Sequence, residues 1–500
     1  MADSRRASSL HMRQIQRMVE YQRHLIFFLL CLIAAFLLTH FLRGDDFTTA
    51  QDYVLFLLFF SVGLWFTEAI PPFAVGILIV GFLVFFLGSL EPEGVSAGGQ
   101  GLDVHKFVST WSNSVIWLIL GGFFLAEGMR KTGVDQDVFR ILASRFEPRP
   151  AKILLSVMLA TCIASMVMSN TATTAMMVAT LAPVLARTGD QGPFGKTILL
   201  GIPAAAAVGG MGTIIGSPPN AIAVEAINNS GLLSYDIGFL DWMIFGVPIA
   251  ILLTLLMWMA LLRKYHPGNA PLDITDLLAK PERSERLVIT TENQQEEIKL
   301  IDGNRIRKRI VIITLLITLT LWLTGRIHGI PPAAVSGLPI IVFTMVSIIT
   351  GEDVRALPWD TLMLVAGGLS LGLAIQDTGI SSYFIDQMAQ WSFRPVLLLP
   401  AFALLTVILS NIMSNTAAAT ILIPVALLWP GVHPAILPIT IGLAASCALY
   451  LPVSTPPNAI VFATGKLQQQ EFRFGGTIVG LAGPLLIIIW VSLMRFWLGF

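Results

Sequence analysis

Two short polar motifs lie in otherwise apolar surroundings and are the residues best suited to bind a ligand. The first is Ser-Asn-Thr, found at residues 169–171 and again at residues 414–416. Serine and threonine hydroxyls donate to a carboxylate, and an asparagine amide either donates to an anion or offers its oxygen to a cation. A helix that begins there adds free N–H groups and the positive end of its dipole. The motif predicts an anion site formed by Ser169, Asn170, Thr171, Ser414, Asn415 and Thr416, with a plain helix cap as the alternative for one copy alone.

The second motif is Ser/Thr-Pro-Pro-Asn, at residues 217–220 and 455–458. Two consecutive prolines remove two N–H donors, so we predict that they break a membrane helix. Carbonyls freed just before such a break can coordinate Na⁺. Ser217, Thr455 and Pro456 are predicted to contact the substrate, and a packing kink is the alternative.

Lys and Arg are absent from both motifs and their apolar surroundings. A bound anion must therefore be held by hydroxyls, amides, helix ends and bound cations. Because an unneutralised charge within a bilayer is costly, the absence of basic side chains favours sodium ions as coupling ions.

The composition indicates what kind of structural element holds these motifs. Hydrophobic residues make up 55% of the 500 residues and charged residues 12%, whereas soluble domains have about 45–50% and about 25%. The formal net charge of zero argues against a basic nucleic-acid-binding protein. The chain is predicted to be an all-α polytopic membrane protein.

Eleven apolar segments are predicted to be transmembrane helices, each of which needs about 20 apolar residues. They are residues 25–42, 53–67, 73–90, 115–129, 197–212, 242–262, 310–324, 333–349, 361–375, 435–451 and 476–498. Two longer stretches, residues 151–187 and 395–431, carry a Ser-Asn-Thr motif near the middle and are predicted to be re-entrant hairpins.

The loops predict orientation and domains. If the N-terminus is placed in the cytoplasm, most of the 31 Lys and Arg residues fall on the cytoplasmic side of the membrane, which favours this orientation. Eleven crossings then place the C-terminus outside. The membrane is predicted to be the plasma (inner) membrane. The predicted parts are a cytoplasmic tail (1–24), a first membrane half (25–262), a cytoplasmic linker (263–309) and a second repeat (310–500). Trp65 and Trp322, near span ends, are predicted to lie in the interfacial aromatic belt.

The two halves share four landmarks in the same order: Trp-to-Pro-Pro segments, Gly-Gly pairs, and both motifs described above. Each predicted repeat holds five spans and one hairpin, and an odd number of spans inverts the second copy. Inverted repeats are characteristic of secondary transporters, whose sites form between the repeats. The Gly-Gly pairs are expected to allow close helix packing.

The paired motifs, together with the stretch at residues 446–461, resemble the divalent-anion/sodium symporter family, although Leu449 stands where a Phe is usual. The resemblance implies a homodimer working by an elevator mechanism. A scaffold (about 25–150 and 310–394) would stay fixed, and a transport domain (about 151–262 and 395–500) would move. Residues 134–146 and 379–391 would form the connecting arms.

The resemblance also implies two sodium sites. The first would use Ser165, Ser169, Asn170 and Gly216, and the second Ser410, Asn415 and the carbonyls of Met413 and Ser454. It implies sodium-coupled symport of C4 dicarboxylates of the succinate, malate and fumarate class, with no other cofactor and no catalytic residues. A sodium-independent dicarboxylate exchanger is the alternative. A membrane-embedded enzyme is a remote one, because all seven histidines fall in tails, loops or span ends.

Overall fold

A computed structural model describes residues 2–90, 103–143, 147, 149–188, 192–230, 236–268, 293–389, 397–427, 429 and 432–497. Within these ranges the chain is helical and contains no β-strand. Six of the helices begin with a proline in their first turn, where the missing N–H would have had no partner and the fixed φ already suits a helix.

The helices of the described residues, numbered in chain order, are α1 Ala2–Leu42, α2 Thr49–Thr67, α3 Pro72–Phe82, α4 His105–Ser109, α5 Ser114–Thr132, α6 Val134–Ala143, α7 Pro150–Ser165, α8 Asn170–Thr188, α9 Pro193–Gly209, α10 Pro218–Asn229, α11 Phe239–Tyr265, α12 Asn293–Leu323, α13 Gly325–His328, α14 Pro332–Met345, α15 Gly351–Arg355, α16 Trp359–Asp377, α17 Ile380–Ala389, α18 Leu398–Ile412, α19 Asn415–Leu427, α20 Ile436–Ala445, α21 Pro456–Ala463 and α22 Gln469–Trp497. A π-helical turn, Leu83–Leu87, extends α3.

Helices long and apolar enough to cross a membrane number 7 among the described residues. Every predicted span falls on a helix, but several of these helices are shorter than a full span, including α14 and α20. The integral membrane character is therefore supported, and the count of eleven spans stays a prediction. The predicted hairpins fall on the helix pairs α7–α8 and α18–α19, and the predicted arms fall on α6 and α17. That the hairpins are re-entrant and that the arms connect two domains stay predictions.

Two helices extend across the boundaries between predicted parts of the chain. Helix α1 runs without a break from Ala2 into the first apolar span, so the predicted tail is helical over its described residues. Helix α12 begins at Asn293, inside the predicted linker, and continues through the span that follows. In both places a polar helix extends directly from a membrane helix; residues 269–292 of the predicted linker lie outside the described residues.

The chain forms two compact units. One comprises Met1–Asn113, Trp359–Ser392 and Leu428–Pro430; the other comprises Ser114–Pro358, Phe393–Leu427 and Gly431–Phe500. All of the predicted site residues belong to the second unit. The division into scaffold and transport domains concerns movement and stays a prediction.

Glycines permit an equivalent helix crossing in each unit. In the first unit α3 packs on α16, and a Cβ on Gly367 would lie only 2.2 Å from Gly76 Cα. In the second unit α14 packs on α5, and a Cβ on Gly121 would lie 2.5 Å from Ser336 Cβ. Gly367 corresponds to Gly121 and Gly76 to Ser336 in the repeat. The same crossing is thus formed twice, each time between one helix from each repeat.

The expectation that Trp65 and Trp322 form an interfacial belt is wrong. Their exposed fractions are 0% and 2%. Each indole Nε1–H donates to the carbonyl of a proline that opens a later helix: Trp65 to Pro72 at the start of α3, at 3.2 Å, and Trp322 to Pro332 at the start of α14, at 3.1 Å. A buried indole needs a partner for its N–H, and here the partner fixes the connection from α2 to α3 in the first repeat and from α12 to α14 in the second.

Candidate cation and anion site

Each Ser-Asn-Thr motif lies at the tip of a helical hairpin. Helix α7 ends at Ser165 and α8 begins at Asn170, whereas α18 ends at Ile412 and α19 begins at Asn415. Ser169 Oγ accepts a hydrogen bond from the Ala172 backbone N–H at 3.2 Å. Ser414 Oγ accepts an equivalent hydrogen bond from the Ala417 backbone N–H at 3.1 Å. Both serines are therefore helix caps. Capping therefore occupies the serine side chains in both copies.

The tips differ in exposure. Ser169 and Thr171 are exposed and Asn170 is half-buried, whereas Ser414, Asn415 and Thr416 are all half-buried. Each tip presents the N-terminus of a helix of 13 or more residues, α8 with 19 and α19 with 13. Such a terminus carries partial positive charge from its first N–H groups and attracts an anion. The geometry suits carboxylate binding at both tips.

Each Pro-Pro-Asn motif begins a helix instead of interrupting one. The two prolines open α10 and α21, with Ser217 and Thr455 in the preceding cap positions. The break lies before them: a 3₁₀ turn at Gly210–Gly212 and residues 213–217 follow α9, and residues 446–455 follow α20. The predicted break within the motif is thus shifted toward the N-terminus, because prolines fit the first turn of a helix.

The asparagine of each motif holds the unwound backbone. Asn220 Nδ2 donates to the Gly210 and Thr213 carbonyls, at 2.7 Å each. Asn458 Nδ2 donates to the Leu449 and Leu451 carbonyls, at 3.1 and 3.0 Å. Carbonyls that have left a helix need new partners when buried, so these amides fix the shape of both unwound segments. Ser217 and Thr455 are buried, and Pro456 is exposed.

In the first repeat, oxygens from the hairpin tip and the unwound segment lie close together. Ser165 Oγ is 2.6 Å from Asn170 Oδ1. A Cβ on Gly210 would lie 2.7 Å from Asn170 Oδ1 and 3.1 Å from the Gly216 carbonyl oxygen. A Cβ on Gly216 would lie 2.7 Å from the Gly210 carbonyl oxygen and 3.2 Å from that of Ser165. We call this group of oxygens, from Ser165, Asn170, Gly210 and Gly216, the first cradle.

The first cradle fits a sodium ion by its chemistry, because hard cations take oxygen ligands from carbonyls and amides. It brings together three of the four residues expected at the first sodium site, Ser165, Asn170 and Gly216. The fourth, Ser169, has its hydroxyl in the helix cap. Gly210 was missed because it contributes its backbone carbonyl oxygen, which every residue type has.

The second repeat offers a different set of oxygens. Ser410 Oγ and Asn415 Oδ1 are buried and have no hydrogen-bond partner. Met413 follows α18 in an extended conformation, so its carbonyl leaves the helical pattern. Ser454 Oγ lies 2.8 Å from the Leu451 carbonyl oxygen. Buried polar atoms without partners are rare in folded proteins. A cation bound between Ser410 and Asn415 would be the missing partner of both oxygens.

One further side chain in each repeat links the hairpin tip to the unwound segment of the same repeat. Thr213 Oγ1 donates to the Met166 carbonyl in the first repeat. In the second, the Tyr450 backbone N–H donates to Asn411 Oδ1 at 2.9 Å. Sequence reasoning missed Thr213 and Asn411. Asn411, a polar residue next to Ser410 in an apolar helix, was the available signal.

Near these segments, one helix of each repeat packs against helices of the other repeat. Helix α10 packs against α19 and α20, and α21 packs against α8 and α9. The helix that begins at each Pro-Pro-Asn motif therefore packs on the hairpin and the broken helix of the other repeat. This arrangement places both tips and both unwound segments in one compact unit.

Comparison with known proteins agrees with this architecture. The model of the citrate transporter family, CitMHS, matches residues 62–429. A sodium-dependent dicarboxylate transporter of Staphylococcus aureus (strain USA300) is 30% identical over 493 residues, covering 91% of this chain and 88% of that protein. One from Staphylococcus saprophyticus is 29% identical over 486 residues, covering 89% and 86%.

Two solved structures share the fold. The YdaH transporter of Alcanivorax borkumensis has a TM-score of 0.56 at 16% identity, covering 86% of this chain and 98% of that one. MtrF of Neisseria gonorrhoeae has a TM-score of 0.52 at 15% identity, covering 86% and 97%. The resemblance inferred from the paired motifs is confirmed by the sequence relatives, and the chain belongs to the citrate transporter family, among relatives named as sodium-dependent dicarboxylate transporters.

Proposed function

We propose that this protein is a secondary transporter that carries C4 dicarboxylates, such as succinate, malate and fumarate, together with sodium ions. The observation that carries the proposal is the first cradle, where Ser165, Asn170 and Gly216 meet beside the N-terminus of α8. A cation position and an anion position lie next to each other, and no basic side chain is in the surrounding sequence. The names of the Staphylococcus relatives support both the sodium and the dicarboxylate.

The chemistry follows from this adjacency. One carboxylate of the substrate accepts hydrogen bonds from the first-turn N–H groups and the Thr171 hydroxyl at one tip, and the other carboxylate does the same at the other tip with Thr416. Asn170 and Asn415 lie between cation and anion and serve both through the two ends of the amide. Sodium ions at the cradles neutralise the charge that the dicarboxylate brings, which couples the two ligands. Sodium is the coupling ion, and the transport step requires no other cofactor.

The proposed membrane arrangement keeps eleven spans and two re-entrant hairpins, with the N-terminus cytoplasmic, the C-terminus outside, and the protein in the plasma (inner) membrane. The 7 long apolar helices and the shorter apolar ones support this arrangement. When the N-terminus is placed in the cytoplasm, most of the 31 Lys and Arg residues fall in cytoplasmic segments, which supports the orientation.

The proposed mechanism is an elevator movement in a homodimer. The hairpins and the broken helices would move as a transport domain (about 151–262 and 395–500) against a scaffold (about 25–150 and 310–394). Support comes from the mutual packing of α8 with α21 and of α19 with α10. Helices that pack in this reciprocal way are suited to move as one body.

Uptake of labelled succinate into proteoliposomes tests the proposed function. We expect uptake driven by an inward sodium gradient and little uptake when choline replaces sodium. Equal uptake in both buffers would overturn the sodium coupling. Uptake that ignores sodium but requires internal dicarboxylate would identify the alternative, a sodium-independent exchanger. The transporter relatives argue against the remote alternative of a membrane enzyme.

A further inference from the structure

Helix α11 supplies a tryptophan that contacts the unwound segment beside the first cradle. Trp242 is 0% exposed, and its indole Nε1–H donates to the Met211 carbonyl at 2.9 Å. Met211 is the middle residue of the 3₁₀ turn Gly210–Gly212, which follows α9. A buried carbonyl beyond the end of a helix needs a donor from elsewhere in the fold, and Trp242 is that donor for Met211.

The 3₁₀ turn is held by two neighbouring helices. Asn220 on α10 donates to the Gly210 and Thr213 carbonyls, at 2.7 Å each. Trp242 on α11 donates to Met211, which lies between them in the chain. The carbonyl oxygen of Gly210 belongs to the first cradle, so the shape of the cradle depends on donors from both helices.

Helix α22 is the counterpart of α11 in the second repeat. Each has a carboxylate in its first turn, Asp241 or Glu471, which accepts from the backbone N–H three residues earlier at 2.8 Å. Five residues further along, each has a glycine, Gly246 or Gly476, at which a Cβ would overlap the unwound segment of its own repeat. These two matched pairs set the register between α11 and α22.

The tryptophan is not repeated in α22. In this register Trp242 corresponds to Phe472, a buried ring that has no N–H. The carbonyl that corresponds to that of Met211 belongs to Leu449, and Asn458 donates to it at 3.1 Å. The asparagine of the second repeat therefore holds the carbonyl that the tryptophan holds in the first.

We propose that Trp242 is a positioning residue for the sodium ion at the first cradle, acting through the Met211 carbonyl. Because the indole satisfies Met211, Asn220 donates to Gly210 and holds it in the cradle. In the second repeat, the carbonyl that corresponds to that of Gly210 belongs to Ala448 and accepts from a serine hydroxyl. Without the indole N–H, Asn220 would turn to the Met211 carbonyl. The Gly210 oxygen would then leave its place in the cradle. The inference rests on the proposed sodium coupling.

The test replaces Trp242 with phenylalanine, which keeps an aromatic ring and removes the N–H. Initial rates of succinate uptake into proteoliposomes are measured at increasing sodium, with choline holding the ionic strength constant. We expect Trp242→Phe to raise the sodium concentration for half-maximal uptake about fivefold, the loss expected for one hydrogen bond of ordinary strength. The maximal rate and the succinate KM at saturating sodium should stay close to those of the wild type. An unchanged sodium dependence would overturn the proposal.

Trp258→Phe is the matched control. Trp258 lies on the same helix, and its Nε1–H also donates to a backbone carbonyl at 2.9 Å, that of Ala151 in the first turn of α7. It is about 24 Å along α11 from Trp242. The sodium dependence of Trp258→Phe should equal that of the wild type, even if both variants melt at a lower temperature. An equal shift in both variants would show a general loss of stability and would also overturn the proposal.

Gly442→Ala disturbs the same indole from its other side and serves as the test if Trp242→Phe does not fold. A Cβ on Gly442 would lie 2.9 Å from Trp242 Cη2, so a methyl group there must displace the ring. We expect this variant also to need more sodium for half-maximal uptake. Wild-type sodium dependence in folded Gly442→Ala would contradict the role of Trp242.

The outcomes separate this inference from the proposed function. Wild-type uptake that ignores sodium would remove the proposed function together with the inference that rests on it. A sodium-dependent wild type whose sodium dependence survives Trp242→Phe unchanged would remove only the positioning role of Trp242.

Discussion

Ser165 and Asn170 join the two halves of the first hairpin through a short contact, with Ser165 Oγ 2.6 Å from Asn170 Oδ1. The same hydroxyl lies 2.8 Å from the Ala206 carbonyl oxygen. Because a hydroxyl carries one proton, Ser165 can turn that proton to Ala206 when a cation occupies the Asn170 oxygen. The equivalent pair in the second repeat, Ser410 and Asn415, has no such contact.

The asparagines at the hairpin tips should be essential to transport. We expect Asn170→Ala and Asn415→Ala each to reduce sodium-driven succinate uptake to the background of empty proteoliposomes, because each removes an amide that we propose contacts both ligands. Membrane insertion and elution as a folded protein should be retained. Uptake close to that of the wild type in both variants would remove the proposed site.

The glycines of the first cradle should tolerate no side chain. Gly210→Ala would place a methyl group 2.7 Å from Asn170 Oδ1, and Gly216→Ala would place one 2.7 Å from the Gly210 carbonyl oxygen. We expect either change to raise the sodium concentration for half-maximal uptake at least about tenfold, the equivalent of about 1.4 kcal/mol. The sodium dependence of initial uptake rates measures this.

Gly480→Ala is the control for these variants. A Cβ there would meet Val407 at 3.5 Å, an ordinary contact. Its sodium dependence should match that of the wild type. If Gly216→Ala also matched the wild type, the first cradle would not be a cation site.

The helix crossing in the first unit should depend on Gly367. A methyl group at this position would lie 2.2 Å from Gly76 Cα, and backbone atoms move aside less easily than the end of a side chain. Overpacking of this kind costs about 1–3 kcal/mol, so we expect Gly367→Ala to lower the melting temperature in detergent.

Gly372→Ala on the same helix is the matched comparison, because nothing lies within 4 Å of a Cβ at that position. Since alanine restricts the unfolded chain more than glycine does, this variant should melt at or above the wild-type temperature. Equal melting of the two variants would show that α3 and α16 do not cross at Gly367.

Asn458 should be required for the shape of the second unwound segment. Its amide donates to two carbonyls, and Asn458→Asp would replace that donor with a negative oxygen facing the same carbonyl oxygens. We expect uptake to be lost and the melting temperature to fall, because the buried carbonyls lose their partners and meet a repulsive charge. An Asn458→Asp protein with normal uptake would show that Asn458 does not hold the segment.

The sequence predicted the break between two helices at each Ser-Asn-Thr motif, because the signal for that break is local. A polar Ser-Asn-Thr in the middle of a long apolar run, next to good capping residues, predicts a helical turn and the start of a second helix. The repeat then strengthened each assignment, since an accidental motif would not recur at an equivalent position. The helix-start role of the prolines was missed, although it follows from the same capping rules.

Other features depend on contacts that no local pattern contains. Trp65 and Trp322 are near span ends, which favours an interfacial position. Both indoles are instead buried, because each N–H donates to a proline carbonyl, that of Pro72 or Pro332. Gly210 contributes a backbone oxygen, and Thr213 contributes a bond to Met166 across 47 residues of sequence. Such partners are set by the fold, so residue type alone does not identify them.

The unwound segments and hairpin tips contain no Asp, Glu, Lys, Arg or His across residues 163–175, 206–222, 405–417 and 446–460. Hydroxyls, amides, carbonyls and helix ends keep the same charge over the physiological pH range. The proposed binding site therefore has no carboxylate, amine or imidazole to titrate, so within it the acidity of the medium acts on the substrate. The pH profile of uptake becomes a readout of which ionisation state of the dicarboxylate the protein carries.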